Sequence, residues 1–120
     1  METPADKKPR WLIRHQSEAP TVPCPCGSST RILTRADGQT AVNLHVTHIR
    51  DSRLHYHKNC TEVYYILEGH GKMELDGQTV DVRPGTVVFI PAGTRHRGYG
   101  DFKTIVVGAP AFDPTDEYFD

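Results

Sequence analysis

No stretch of this chain approaches the ~18 consecutive apolar residues of a membrane-crossing helix, and no secretory-type apolar segment stands near Met1. Neither a membrane partner nor export is expected, and the expected location is cytoplasmic. Cysteine is scarce: Cys24, Cys26 and Cys60 form an odd set without paired CxxC motifs. That pattern argues against a disulfide framework and a structural zinc knuckle, and fits free thiols. Charge of one sign is also lacking. The 14 basic and 15 acidic residues leave a net charge of −1, with no basic stripe interleaved with aromatics, so no nucleic-acid partner is expected. Ser28, Ser29 and Ser52 lack the strand-to-helix elbow that activates a hydrolase serine, and there is no phosphate loop. At 120 residues the chain has room for one core.

What is present is a run of short β-type segments. Residues 1–29 carry Pro4, Pro9, Pro20, Pro23 and Pro25, each of which removes a backbone donor, so this part reads as an irregular arm rather than helix or central strand. Trp11, Leu12 and Ile13 interrupt it with an apolar trio, expected to fold back onto the body of the protein or onto a second subunit. Residues 30–110 read as an all-β sandwich or barrel without a convincing helix. Candidate strands cover 31–34, 41–49, 54–58, 62–68, 72–75, 78–82, 86–90, 94–98 and 103–107. Asp76-Gly77, flanked by alternating segments, is the strongest hairpin signal. Residues 111–120 form an acidic tail, a loop or short packing segment. Together with Lys7, Lys8, Arg10 and Arg14 at the other end, its simplest reading is a pair of solvated tails.

His55, His57, Glu62 and His96 are the residues that point to chemistry. If 54–58 is a strand, side chains two apart share a face, so His55 and His57 point the same way. A short turn then returns Glu62 beside them. Three neutral imidazoles and a carboxylate suit Fe, Zn, Ni, Mn, Cu or Co better than Mg or Ca, which prefer more oxygen. A lone HxH pair would more simply be incidental; the fuller pattern decides otherwise.

That pattern is HxHxxxxExxxxxxG from His55 to Gly69 and GxxxxxPxGxxH from Gly85 to His96. It resembles the two motifs of the cupin superfamily. The resemblance covers about 49–100 and implies a double-stranded β-helix, or jelly-roll barrel, in which His55, His57, Glu62 and His96 hold one divalent transition metal ion. Ile49 stands where the family pattern opens with glycine, and Gly100 where it closes with asparagine. Gly100 thus removes a possible side chain for orienting His96. Gly69, Gly85 and Gly93 suit barrel corners.

Tyr64 shares the parity of Glu62, and Arg53 that of His55. Tyr64 is the candidate catalytic proton donor or acceptor, and Tyr64, Arg53 and His45 are candidate substrate contacts. Each has a plainer reading, as core tyrosine, rim arginine and strand histidine. For His45, on the polar face Ala41, Asn43, His45 and Thr47, a solvent-facing role is the simpler expectation. His15, His48 and His70 read as surface or turn residues. Cys60, two residues before Glu62, reads as a small buried or loop residue rather than a ligand. The resemblance implies a metal-dependent cupin acting on a small molecule as a dioxygenase, isomerase, decarboxylase or lyase. A non-catalytic metal- and ligand-binding module for sensing or storage is the alternative. A metal-free epimerase would need a His and Asp pair. Small relatives commonly form homodimers, and the arm offers a crossing segment.

Overall fold

The computed structural model describes residues 10–120; Pro4, Lys7, Lys8 and Pro9 of the arm lie outside the described residues. Seven strands follow one another: β1 (Thr21–Cys24), β2 (Gly27–Leu33), β3 (Asn43–Asp51), β4 (Thr61–Leu75), β5 (Gln78–Val82), β6 (Val87–Ile90) and β7 (His96–Ala109). The neighbour order is β1-β2-β3-β7-β4-β5, all antiparallel, with β6 pairing with β4. This is an all-β jelly-roll barrel. Only two short 3-10 turns, Gln16–Glu18 and Arg35–Asp37, add helical geometry among the described residues. No helix there is long and apolar enough to cross a membrane.

Two long strands organise the barrel. β4 pairs with β7 along its whole length, while its first part also pairs with β6 and its last part with β5. The segments 62–68 and 72–75 are therefore one strand, continued through Gly69-His70-Gly71; 94–98 and 103–107 likewise merge into β7. Glycine permits this because the two backbones nearly touch there. A Cβ on Gly100 would lie 2.7 Å from the Gly71 Cα, and Gly100 has φ +120°. The Asp76-Gly77 turn is formed as expected, with φ values of 47° and 85° that match the twist of the flanking strands.

The core lies between the inner faces of these strands and comprises Ile49, Tyr64, Ile66, Met73, Val82, Val88, Ile90, Phe102 and Val106. Period-two alternation explains the membership: along β4, Glu62, Tyr64 and Ile66 are buried while Tyr65 and Leu67 are exposed.

Several sequence expectations fail. Residues 54–58 are not a strand; His55 and Tyr56 form only isolated bridges, to His96 and Tyr118. Part of the expected arm is ordered sheet, since β1 and β2 form a hairpin that adds to the edge of β3. Pro23 is tolerated because β1 is an edge strand. Cys24 and Cys26 are not free thiols but form a disulfide. An odd cysteine count argues against a framework, yet a tight hairpin needs only two sulfurs on one side. Trp11 and Ile13 are 68% and 87% exposed, so the apolar trio does not pack on its own barrel, whereas Arg14 is bonded to Ile32 and Asp37. The tail is not simply solvated either, because Asp116 is buried.

Candidate metal centre

His55 and His57 lie on the connection between β3 and β4, Glu62 near the start of β4, and His96 at the start of β7. Backbone bonds hold the connection in place. His55 N–H donates to the His96 carbonyl at 3.1 Å, His96 N–H returns to His55 at 2.9 Å, and Gly93 N–H donates to the His57 carbonyl at 2.6 Å. The Ser52 hydroxyl adds bonds to the Gly98 carbonyl at 3.0 Å and from its amide at 2.7 Å. Histidines two residues apart thus converge without a regular strand.

One ligand atom from each of His55, His57, Glu62 and His96 lies within 4.8 Å of all the others, and this group could hold a metal ion. Each ring has its Nδ1 against a main-chain carbonyl: His55 with Arg53 at 2.7 Å, His57 with Asp116 at 2.6 Å and His96 with Thr94 at 2.9 Å. A carbonyl can only accept, so each Nδ1 carries a proton, and each ring in its neutral form turns an Nε2 lone pair on the centre. Glu62 Oε1 stands 3.2 Å from His57 Nε2 and 3.1 Å from His96 Nε2. Glu62 Oε1 and His96 Nε2 nevertheless lack a well-directed hydrogen bond while fully buried. Such orphaned atoms are costly unless something else satisfies them. A nitrogen-rich divalent cation fits this donor set.

Electrostatics agree. Burial alone would raise the Glu62 carboxyl, but the His57 and His96 rings reverse this and hold it down to about 2. Burial and the neighbouring His96 charge lower His55 to about 4, so it is neutral near pH 7. Burial lowers His57 as well, yet Glu62 more than compensates and raises it. Burial, then the Glu62 charge, pushes the Cys60 thiol up to about 11, and Cys60 stands outside the four-residue group that could hold the ion.

The centre opens into a cavity of about 170 Å³ lined by Arg53, His45, Thr47, Asn43 and Tyr64 among others. All three candidate contacts therefore reach it: Tyr64 from β4, Arg53 at the rim stacked on Phe119 at 4.1 Å, and His45 from β3. For β3 the simpler expectation is reversed. Asn43 and Thr47 are buried, and the polar face points inward while Leu44 and Val46 point outward. Burial raises the Tyr64 phenol well above its usual value, so it is a donor near neutrality. His48, expected at the surface, pairs with Asp101 at 2.5 Å.

Asp116 escapes sequence reasoning altogether. Its carboxylate accepts the amides of Lys58, Asn59 and Cys60 at 2.9, 3.0 and 3.2 Å, and its carbonyl orients His57. Nothing local in an acidic tail signals that return. Gly100 does not cost His96 its orientation, because Thr94 supplies it.

A sequence model described as Cupin domain matches residues 45–107. Over 91 residues the chain is 32% identical to L-ectoine synthase of Aliivibrio fischeri, covering 72% of this chain and 69% of that one. Over 42 residues it is 45% identical to quercetin 2,3-dioxygenase of Bacillus subtilis, covering 35% of this chain and 12% of that one. The crystal structure of a protein from Planctomyces limnophilus superposes with a TM-score of 0.83 at 36% identity, covering 90% of this chain and 96% of that one. Two of the curated relatives are far longer than the match, the chain spanning 35% of one and 12% of the other.

Proposed function

The chain belongs to the cupin domain family, and on that premise we propose that it binds one divalent transition metal ion through His55, His57, Glu62 and His96 and acts on a small organic molecule in the adjoining cavity. The observation that carries this reading is the anchoring of all three Nδ1 atoms, which leaves three Nε2 lone pairs and one carboxylate turned on a single point. When bound, the ion supplies a Lewis acid for substrate oxygens, or redox chemistry if it is iron.

The chain's own residues do the rest. The Tyr64 phenol, protonated near neutrality, donates to the substrate and is the candidate for moving a proton. His45 is held neutral by burial, with the Arg31 charge adding to this, so it can accept a hydrogen bond. Arg53, steadied on Phe119, attracts negative charge at the rim. Among dioxygenase, isomerase and lyase types of reaction, the similarity to a quercetin 2,3-dioxygenase supports the first. A cytoplasmic location remains part of the proposal, and thiol counting in freshly lysed cells tests it against the Cys24–Cys26 disulfide.

Elemental analysis of protein purified without added metal, followed by oxygen-uptake assays with catechols, thiols and keto acids, tests the reading. Iron with oxygen consumption selects a dioxygenase. Zinc or nickel without oxygen consumption selects isomerase or lyase chemistry, and bound metal with no turnover of any class selects the sensing or storage module. Absence of a stoichiometric ion overturns the proposal.

A further inference from the structure

Resting on the reading of this cavity as a substrate site, we propose that its occupant is a small organic anion, whose carboxylate or phosphate group is held by Arg31 and His45 at the end away from the metal centre. Strand register carries the argument. Arg31 stands opposite His45, His45 opposite Val106, and Val106 opposite Tyr64, so these four form one row across β2, β3, β7 and β4. Residues directly opposite on paired strands share a face, and this row lines the cavity. The next row holds Asn43, Gly108 and Glu62. From Glu62 to Arg31 is one pleat repeat along and three strands across, about 16 Å along the sheet before curvature shortens it. The long Arg31 side chain closes part of that separation from one end and the Glu62 side chain part from the other, so the ligand bridges only the remainder.

The acids keep to one end of this line, and of the two cations Arg53 stands at the rim near His55 while Arg31 is the one at the far end. The acids lining the cavity are Glu62 and Glu117, both at the metal end, where Glu117 Oε1 lies 4.0 Å from His55 Nε2. The cations are Arg31 and Arg53. Arg14, Arg35, Arg95 and Arg97 each meet a carboxylate, whereas Arg31 and Arg53 meet none among the described residues. A guanidinium lining the cavity with no carboxylate partner of its own is matched by an anionic ligand, and its planar fork suits carboxylate or phosphate oxygens. A second cavity of about 520 Å³ shares Arg31, Asn43, His45 and Phe112 with the first, so a longer tail on the anion has an exit.

Ligand-observed NMR and calorimetry on the full chain, metal-depleted and zinc-loaded, test this with succinate, glutarate, glycerol 3-phosphate and neutral succinamide. Binding of the anions but not succinamide is expected, and the stronger of the carboxylate and phosphate arms identifies the anionic group. Arg31→Gln is expected to weaken anion binding about tenfold or more, with Arg31→Lys keeping part of it. Because Arg31 is exposed, metal content and melting temperature should stay unchanged in both variants. Equal binding of succinamide, no binding of any anion at millimolar concentration, or an unaltered Arg31→Gln overturns the inference. The metal-depleted arm reads anion binding even if no ion is ever taken up, so this failure is distinguishable from failure of the metal proposal.

Discussion

The Nδ1–H of His57 donates to the main-chain carbonyl of Asp116 across 2.6 Å, and so ties a metal-ligand ring to a residue 59 positions later. The same residue's carboxylate gathers the amides of Lys58, Asn59 and Cys60, which closes the turn between His57 and Glu62. The final segment is therefore a structural wall of the site. Around it, Tyr118 bridges Tyr56 and Phe119 stacks beneath Arg53.

Asp116→Ala should cost about 2–4 kcal/mol of stability, because one buried and two part-buried amides lose a charged acceptor. Metal affinity should fall about 10- to 100-fold as the turn holding His57 loosens. Urea denaturation and competition with a chelating dye measure the two effects. Wild-type affinity in a folded Asp116→Ala would show that the turn does not support the centre.

His57→Ala and His96→Ala should each abolish stoichiometric metal, since each removes one of four ligands from a closed set. Glu62→Gln keeps the shape but removes the charge, and should retain weaker binding. Elemental analysis after gel filtration decides, and a full complement of metal in His96→Ala would refute the ligand assignment.

Metal uptake should release protons, because ligation needs a neutral His57 while Glu62 favours its charged form. His55, lowered to about 4, and Glu62, held at about 2, are already deprotonated there. His57 is raised by Glu62 and must lose its proton to ligate. Apparent affinity should thus fall as pH drops below the raised His57 value, since the proton then competes with the ion for that ring. Calorimetry in buffers of differing ionisation enthalpy counts the proton, and a count of zero would contradict the raised His57.

Gly100→Asn, which restores the residue usual in the family pattern, should destabilise the barrel by more than about 2 kcal/mol. The position has φ +120°, and a Cβ would press on the Gly71 Cα at 2.7 Å. Gly38→Ala, at φ +82° but in open space, should cost only about 1 kcal/mol. Thermal denaturation compares them, and equal losses would remove the close approach as the cause.

A homodimer is expected through the outer face of β4 and β6, where Tyr65 pairs with Val87 and Val63 with Phe89 and both Val87 and Phe89 are more than 60% exposed. Phe89→Glu should shift the protein to the 13.5 kDa monomer in sedimentation analysis. A wild-type monomer at micromolar concentration would exclude the dimer.

Taken alone, the sequence determined the ligand types, the turns and the parity of β4, because glycine placement and period-two alternation are local properties. It therefore foretold the barrel, the four-residue centre and the inward direction of Tyr64. Alternation cannot say which face of a strand is inward when one is apolar and the other polar, so the polar face of β3 had to wait for its partners on β2 and β7. Proline content likewise could not reveal that β1 and β2 find an open edge on β3. Only the tertiary structure decided that Asp116 returns to His57 and that Arg31 joins the row of Tyr64, since each contact depends on chain closure rather than neighbouring residues.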